Sequence, residues 1–301
     1  MDKFDELSKP DKKCGTLLKG TLADKLGILV LSFIVLLIAV GLLSSLFAGV
    51  LDARNLMLLS SVLQNVLCFM VPAWLAAFLC SKSASSYLGL GCSMQWRQLG
   101  GVLLIMVAVA PAMNALVEWN ESLHLPASMQ AIEHSMRAME ENASELTDML
   151  LGDSSVWGLL SGILVVGILT GLGEEAFFRG GIQKALTSNG MNHHVAIWIT
   201  AIVFSAIHFQ FFGFFPRLFL GALFGYFYWS SKSLWVSAAA HALNNASVVV
   251  MTWLSARGVV DADFESVGAG SVWAVMGSVC VTAGLIILFW NPLIKSHGKE
   301  K

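Results

Sequence analysis

The sequence predicts an all-α protein: a polytopic transmembrane bundle of about eight spans with N- and C-termini cytoplasmic. Three observations carry this. Of 301 residues, 56% are hydrophobic and 13% charged, with a mean hydropathy of +0.72; an average soluble domain carries about 25% charged residues. The apolar residues gather in runs close to the roughly 20 residues that cross about 30 Å of hydrocarbon. The basic residues alternate between the two ends of those runs.

The runs are Leu26–Phe47, Met57–Cys80, Leu99–Trp119, Val156–Leu172, Ala196–Phe212, Pro216–Trp229, Leu234–Trp253 and Val272–Trp290. The sixth is short, and Phe214–Arg217 before it reads as a tight outer turn. With a cytoplasmic N-terminus, 14 of the 18 Lys and Arg residues fall inside and 4 outside (Arg54, Arg137, Arg217 and Arg257), as the positive-inside rule requires. The first run is too long for the h-region of a signal peptide, about 7–15 residues, and a charged tail precedes it, so it reads as a retained anchor. A polytopic protein of a bacterial cytoplasmic membrane is expected.

The organisation follows: a tail at 1–25, three helices in 26–119, an extracytoplasmic loop at 120–154, a core at 155–255, and a last helix and tail at 256–301. In the loop, Met129, Ile132, Met136, Met139, Ala143, Leu146 and Leu150 recur at steps of three and four. Glu133, Glu140, Glu141, Glu145 and Asp148 take the other face, which predicts an amphipathic outer helix that caps the bundle or lies at the interface. A docking surface for a partner is the alternative. The net charge of −2 excludes a nucleic-acid partner of the usual basic kind. Five cysteines (Cys14, Cys68, Cys80, Cys92, Cys280) without CxxC spacing give neither a disulfide framework nor a zinc ribbon. The lack of an internal repeat leaves an inverted-repeat transporter unsupported.

An ionisable group inside a span costs about 2.5–3.5 kcal/mol on insertion scales and faces the bundle interior or a cavity. Few occur here: Glu174, Glu175 and Arg179 at the inner end of the fourth run, His208 in the fifth, and His241 with Asn244 and Asn245 in the seventh. Glu175 and Arg179 stand at i and i+4 and can pair. Glu174, rotated by about 100°, is left without that partner. The alternative is an interfacial charge cluster with Arg179 snorkelling. Any single buried histidine is more often an interhelical hydrogen bond than a catalyst, but a carboxylate, two histidines and an amide at matching depth form a hydrolytic set. Glutamate or histidine can take a proton from water, and histidine and asparagine can donate to an oxyanion. The adjacent His193 and His194 read as solvated loop residues.

These residues, as Glu174-Glu175-x-x-x-Arg179, Phe204-x-x-x-His208 and His241-x-x-x-Asn245, resemble the three motifs of the CPBP family, which holds the CAAX prenyl endopeptidases and the bacteriocin-processing "Abi" membrane proteins. The resemblance spans roughly 156–255. It implies an intramembrane endopeptidase cutting a peptide or membrane-protein substrate near the cytoplasmic leaflet. Glu174 would activate water with His208, His241 and Asn245 would stabilise the oxyanion, and Glu175 with Arg179 would support them. No obligatory cofactor is expected; were a metal needed, His208, His241 and Glu174 would hold zinc, although the HExxH spacing is absent. The other readings are a non-catalytic immunity or scaffold protein of the same fold, and a proton-coupled transporter, which would spread its carboxylates through the membrane depth.

Overall fold

The computed structural model describes residue 15 and residues 20–260 and 266–297, the last seven by backbone alone. Most of the tail 1–25, with Cys14 and Lys3, Lys9, Lys12, Lys13 and Lys19, lies outside the described residues, as do Lys299 and Lys301. Among the described residues ten helices follow in order: α1 Leu22–Ser45, α2 Ala53–Cys80, α3 Ala84–Leu88, α4 Trp96–Glu121, α5 Gln130–Leu151, α6 Val156–Ser188, α7 His193–Ala206, α8 Phe214–Ser231, α9 Leu234–Ala256 and α10 Val272–His297. No strand occurs among the described residues. Among the described residues, seven helices are long and apolar enough to cross a membrane, and their outward faces carry exposed leucine, isoleucine and valine. The chain is a multi-pass membrane protein.

Local chemistry starts several of these helices. Thr21 Oγ1 accepts from the Asp24 amide, and Asp24 Oδ2 accepts from Thr21 N, at the head of α1. Ser155 Oγ accepts from Gly158 N at the head of α6. Such caps satisfy amides that the first turn leaves unpaired.

Helix α6 is the centre of the bundle and runs 33 residues without a break. It contains two π-helical stretches, Ile163–Leu169 and Ala176–Gln183, and α2 contains a third at Gln64–Met70. Such wide turns insert a residue into the ladder and are frequent at functional sites. Small residues bring α6 against α9: a Cβ on Gly171 would lie 2.8 Å from the Ala242 amide nitrogen, and one on Gly167 3.3 Å from Ala246 Cβ. Close approach through small residues is how membrane helices gain packing contacts. Around the other side of α6, the rings of Phe69, Phe177, Phe178 and Phe204 touch in sequence, closing a core with Leu29.

Two expectations need correction. The fourth span does not end at Leu172 but continues to Ser188, so Glu174, Glu175 and Arg179 lie in mid-helix rather than at its inner end. The pairing of these charges lets the helix continue past them. The weak span is the fifth, not the sixth: α7 has 14 residues, about 21 Å long at 1.5 Å per residue. It ends before His208 because Phe209 adopts φ 55°, a left-handed backbone that no helix continues through. His208 therefore sits on the turn between α7 and α8. The expected outer helix is present as α5, and residues of both its faces reach the protein. Glu133 and Glu140 point into the protein, where they meet polar partners. Ile132, Met139, Leu146 and Met149 are exposed, while Met136, Ala143 and Leu150 are half-buried and Glu141, Glu145 and Asp148 face outward.

Candidate active site

The charged residues of α6 meet the middle of α9. Arg179 and Glu175 are both fully buried, with Nη1 2.5 Å from Oε1. The same carboxylate oxygen lies 3.0 Å from His241 Nδ1. Since the carboxylate can only accept, Nδ1 carries the proton. His241 Nε2 then points at Glu174, 3.7 Å from Oε2, and the Glu174 side chain is 12% exposed. The two glutamates thus differ: Glu175 is locked between a guanidinium and an imidazole, while Glu174 makes no hydrogen bond within the normal range to the histidine it faces.

Phe204 organises the rest. Its ring makes edge contacts with His208, at 5.1 Å between centroids, and with His241, at 5.7 Å. The Arg179 guanidinium lies 4.9 Å from the same ring centre. His241 also stacks on Phe224 at 5.0 Å. The two histidines therefore flank one aromatic ring. His208 Nδ1 lies 2.7 Å from the Phe204 carbonyl, so it too holds its proton on Nδ1 and leaves a lone pair on Nε2. His208 is within electrostatic reach of Glu174.

Asn245 stands one turn beyond His241 and gives an Nδ2–H to the Val166 carbonyl of α6 at 3.1 Å. That bond lies in the first π-helical stretch and uses one of the two amide hydrogens. Asn244 reaches Asn245 Oδ1 at 3.3 Å. The structure thus brings Glu174, Glu175, Arg179 and His241 into direct contact, sets His208 across Phe204, and ties Asn245 to the α6 backbone. His193 and His194 open α7, away from this cluster; they are exposed, but His194 Nδ1 meets the Tyr226 hydroxyl at 2.9 Å and both rings pack near Trp229.

Several contributors carry no signal in a pattern of charged residues. Arg179 Nη2 donates to the Gly221 carbonyl at 2.7 Å, and one turn on, Gln183 Nε2 donates to the Gly225 carbonyl at 3.1 Å. These parallel bonds fix the register of α6 on α8. Asn65, in the π-helical part of α2, donates to Thr170 Oγ1 at 3.0 Å. A polar residue among apolar ones was the available clue for Asn65 and Gln183; the glycine carbonyls gave none.

For a metal, the donor types are suitable: in the neutral form each histidine would present a bare Nε2, with its Nδ1–H held by an acceptor, as in oriented ligand histidines. Their placement does not gather them. Among the described residues no three His, Cys, Asp or Glu groups are set to hold an ion. An apolar cavity of about 540 Å³ opens beside α6, lined by Met70, Trp74, Phe78, Leu172, Ala176 and Leu234, among others. Leu172 and Ala176 bracket the two glutamates along α6.

No curated protein and no solved structure matches the chain. Residues 156–247 match the model of the Rce1-like type II CAAX prenyl endopeptidases. The matched stretch begins with the first residue of α6 and takes in Glu174, Glu175, Arg179, His208, His241 and Asn245, and over these residues the chain is similar to the Rce1-like, CPBP family.

Proposed function

We propose that the protein is an intramembrane endopeptidase that hydrolyses a peptide bond with a water activated by Glu174. The observation that carries this reading is the division between the glutamates: Glu175 is bound by Arg179 and His241, while Glu174, 3.7 Å from His241 Nε2, keeps a carboxylate available to a water proton.

Glu174 accepts a proton from water as its oxygen attacks the scissile carbonyl carbon, and His208 Nε2, as a lone-pair acceptor, orients the same water. The carbonyl oxygen becomes an oxyanion facing the α9 donors. His241, as an imidazolium, offers Nε2–H, and Asn245 offers the amide hydrogen not given to Val166. Collapse of the intermediate breaks the C–N bond, and Glu174 returns its proton to the leaving amine, giving a carboxylic acid and an amine. No step passes through a metal. The apolar cavity beside α6 suits an apolar part of the substrate. The α5 side of the bundle is extracytoplasmic in this reading, and the membrane is a bacterial cytoplasmic membrane.

The test is comparative peptidomics of cells carrying the wild-type protein and Glu174→Ala. A peptide released only by the wild type identifies the substrate. Identical peptide pools, with both proteins present at equal abundance in the membrane, overturn the reading.

A further inference from the structure

His208 rides on a turn whose own backbone holds only its first part: the amides of Ile207, His208 and Phe209 donate to the carbonyls of Val203, Ser205 and Ala206 at 3.1, 3.4 and 3.1 Å. Phe209 has φ 55°, a conformation that L-residues seldom adopt, and the chain leaves regular helix from Ile207 until Phe214, apart from the short 3₁₀ turn Phe211–Gly213. Irregular backbone in a membrane protein persists where other groups satisfy it. Here four helices supply those groups. Asn120, 2% exposed at the end of α4, brackets the turn: Nδ2 donates to the Phe211 carbonyl at 3.1 Å, and Oδ1 accepts from Phe215 N at 2.9 Å. Arg217 of α8 forks onto Gln210, with Nη1 2.9 Å from Oε1 and Nη2 on the main-chain carbonyl. The guanidinium lies so close over Gly213 that a Cβ there would be 2.8 Å from both Nη atoms. Ser205 Oγ of α7 donates to the Phe214 carbonyl at 2.6 Å. From α5, Glu140 Oε2 accepts from Phe212 N at 3.3 Å, and the Arg137 guanidinium lies 4.1 Å from the Phe212 ring centre.

We propose that Asn120 and Arg217 are positioning residues for His208, fixing the 207–213 turn that sets His208 across Phe204 from His241, and that α5 is coupled to the same turn through Glu140. The proposal rests on the endopeptidase reading for its kinetic consequence, but not for its structural one. Neither residue touches the reacting atoms. Their effect passes through the backbone of the turn to the bond between His208 Nδ1 and the Phe204 carbonyl, which selects the tautomer. The outer helix becomes part of the catalytic frame, since α5 cannot move away without releasing Phe212.

The experiment uses the full chain in lipid nanodiscs, labelled with ¹⁵N-histidine, with the His208 signals assigned by His208→Gln. Variants are Asn120→Ala, Arg217→Lys, which keeps the charge without the fork, and the milder Glu140→Gln. The wild type is expected to show a single tautomer, protonated at Nδ1. Asn120→Ala and Arg217→Lys are expected to show averaged ring nitrogens, and kcat on the peptide found by peptidomics is expected to fall about 10²-fold with KM little changed, the effect of a small misplacement. A folded variant whose His208 spectrum equals that of the wild type overturns the proposal, even where kcat falls. If Asn120→Ala does not fold, Glu140→Gln gives the answer by the same spectrum. Wild-type kcat in Glu174→Gln sinks the endopeptidase reading alone, and the His208 spectrum still decides the positioning role.

Discussion

Glu175 Oε1 lies 3.0 Å from His241 Nδ1 and takes Arg179 Nη1 on its other side at 2.5 Å. One carboxylate oxygen therefore ties α6 to α9 and neutralises a fully buried guanidinium. The neighbouring Glu174 makes neither of these short bonds, standing 3.7 Å from His241 Nε2.

Substituting the two glutamates separates these functions. Glu174→Gln keeps size and polarity and is expected to abolish turnover while leaving thermal stability near that of the wild type. Glu175→Gln leaves Arg179 buried beside a neutral amide, and removing one partner of a buried ion pair typically costs about 3–5 kcal/mol. Thermal unfolding in detergent, read beside peptide release, checks both. Equal stability of the two variants would contradict the division.

The α6–α9 contact is as demanding as the charges. A Cβ on Gly171 would meet the Ala242 amide nitrogen at 2.8 Å and Ala242 Cα at 3.1 Å, and backbone cannot rotate aside as a side chain can. Gly171→Ala is expected to destabilise the fold by roughly 1–3 kcal/mol, the usual range for overpacking, and to shift His241 from Glu174. Gly167→Ala meets only Ala246 Cβ at 3.3 Å and is expected to be milder. Melting curves of the two variants test the order; a milder effect at Gly171 would refute this account of the contact.

The charges in the bundle were legible because ionisable residues are rare in apolar runs, and the i, i+4 spacing foretold the Glu175–Arg179 pair. Less was legible where the backbone decides. Hydropathy stops α6 at Leu172 because Glu174, Glu175 and Arg179 lower any window that includes them, whereas mutual neutralisation lets the helix run to Ser188. Hydropathy also carries the fifth span through His208 to Phe212, since the left-handed Phe209 is an ordinary apolar residue on any scale. The seating of α5 was not legible for a third reason: periodicity finds two faces but does not tell how each is divided between protein and surroundings. In a bilayer, Ile132 and Met139 can face lipid while Glu133 and Glu140 turn inward.

That orientation sharpens a topology test. With the native cysteines replaced, single cysteines at Glu141 or Glu145, both exposed on α5, are expected to react with a membrane-impermeant thiol reagent added to intact cells. Reaction only after permeabilisation reverses the assignment of sides for the entire bundle.

The root of α5 carries a pH-dependent latch. Glu133 accepts from His124 Nδ1 at 2.9 Å, from Leu125 N at 2.8 Å and from Arg137 Nε at 2.9 Å. These donors hold its carboxyl down at about 2, against an ordinary 4.5, with the His124 bond the largest cause. A carboxyl lowered in the folded state stabilises fully above its unfolded value and loses that contribution as pH falls through the folded one. The difference in melting temperature between wild type and Glu133→Gln is therefore expected to be constant above about pH 5 and to narrow from there towards pH 2. A difference that ignores pH would mean that the latch contributes nothing through its charge.

Two mechanisms share these side chains and part on the role of His208 and His241. When Glu174 activates water directly, the oxyanion must be met by His241 Nε2–H and by the Asn245 hydrogen left free beside Val166. Removing one such donor typically lowers turnover about 10²–10³-fold, so Asn245→Ala is expected to cut kcat by that order with little change in KM, because the donor acts on the transition state. In a zinc mechanism His208 and His241 would hold the ion through Nε2, and it would supply a Lewis acid for the carbonyl. His208→Ala and His241→Ala would then each abolish metal content, whereas Asn245→Ala would leave it intact. Purified protein is assayed for metal stoichiometry, for turnover after exhaustive chelation, and again after zinc is restored. Turnover that survives chelation is the expected result. One tightly held equivalent of zinc, with activity lost and regained alongside it, would overturn the direct mechanism and require Glu174, His208 and His241 to draw together from the positions they occupy around Phe204.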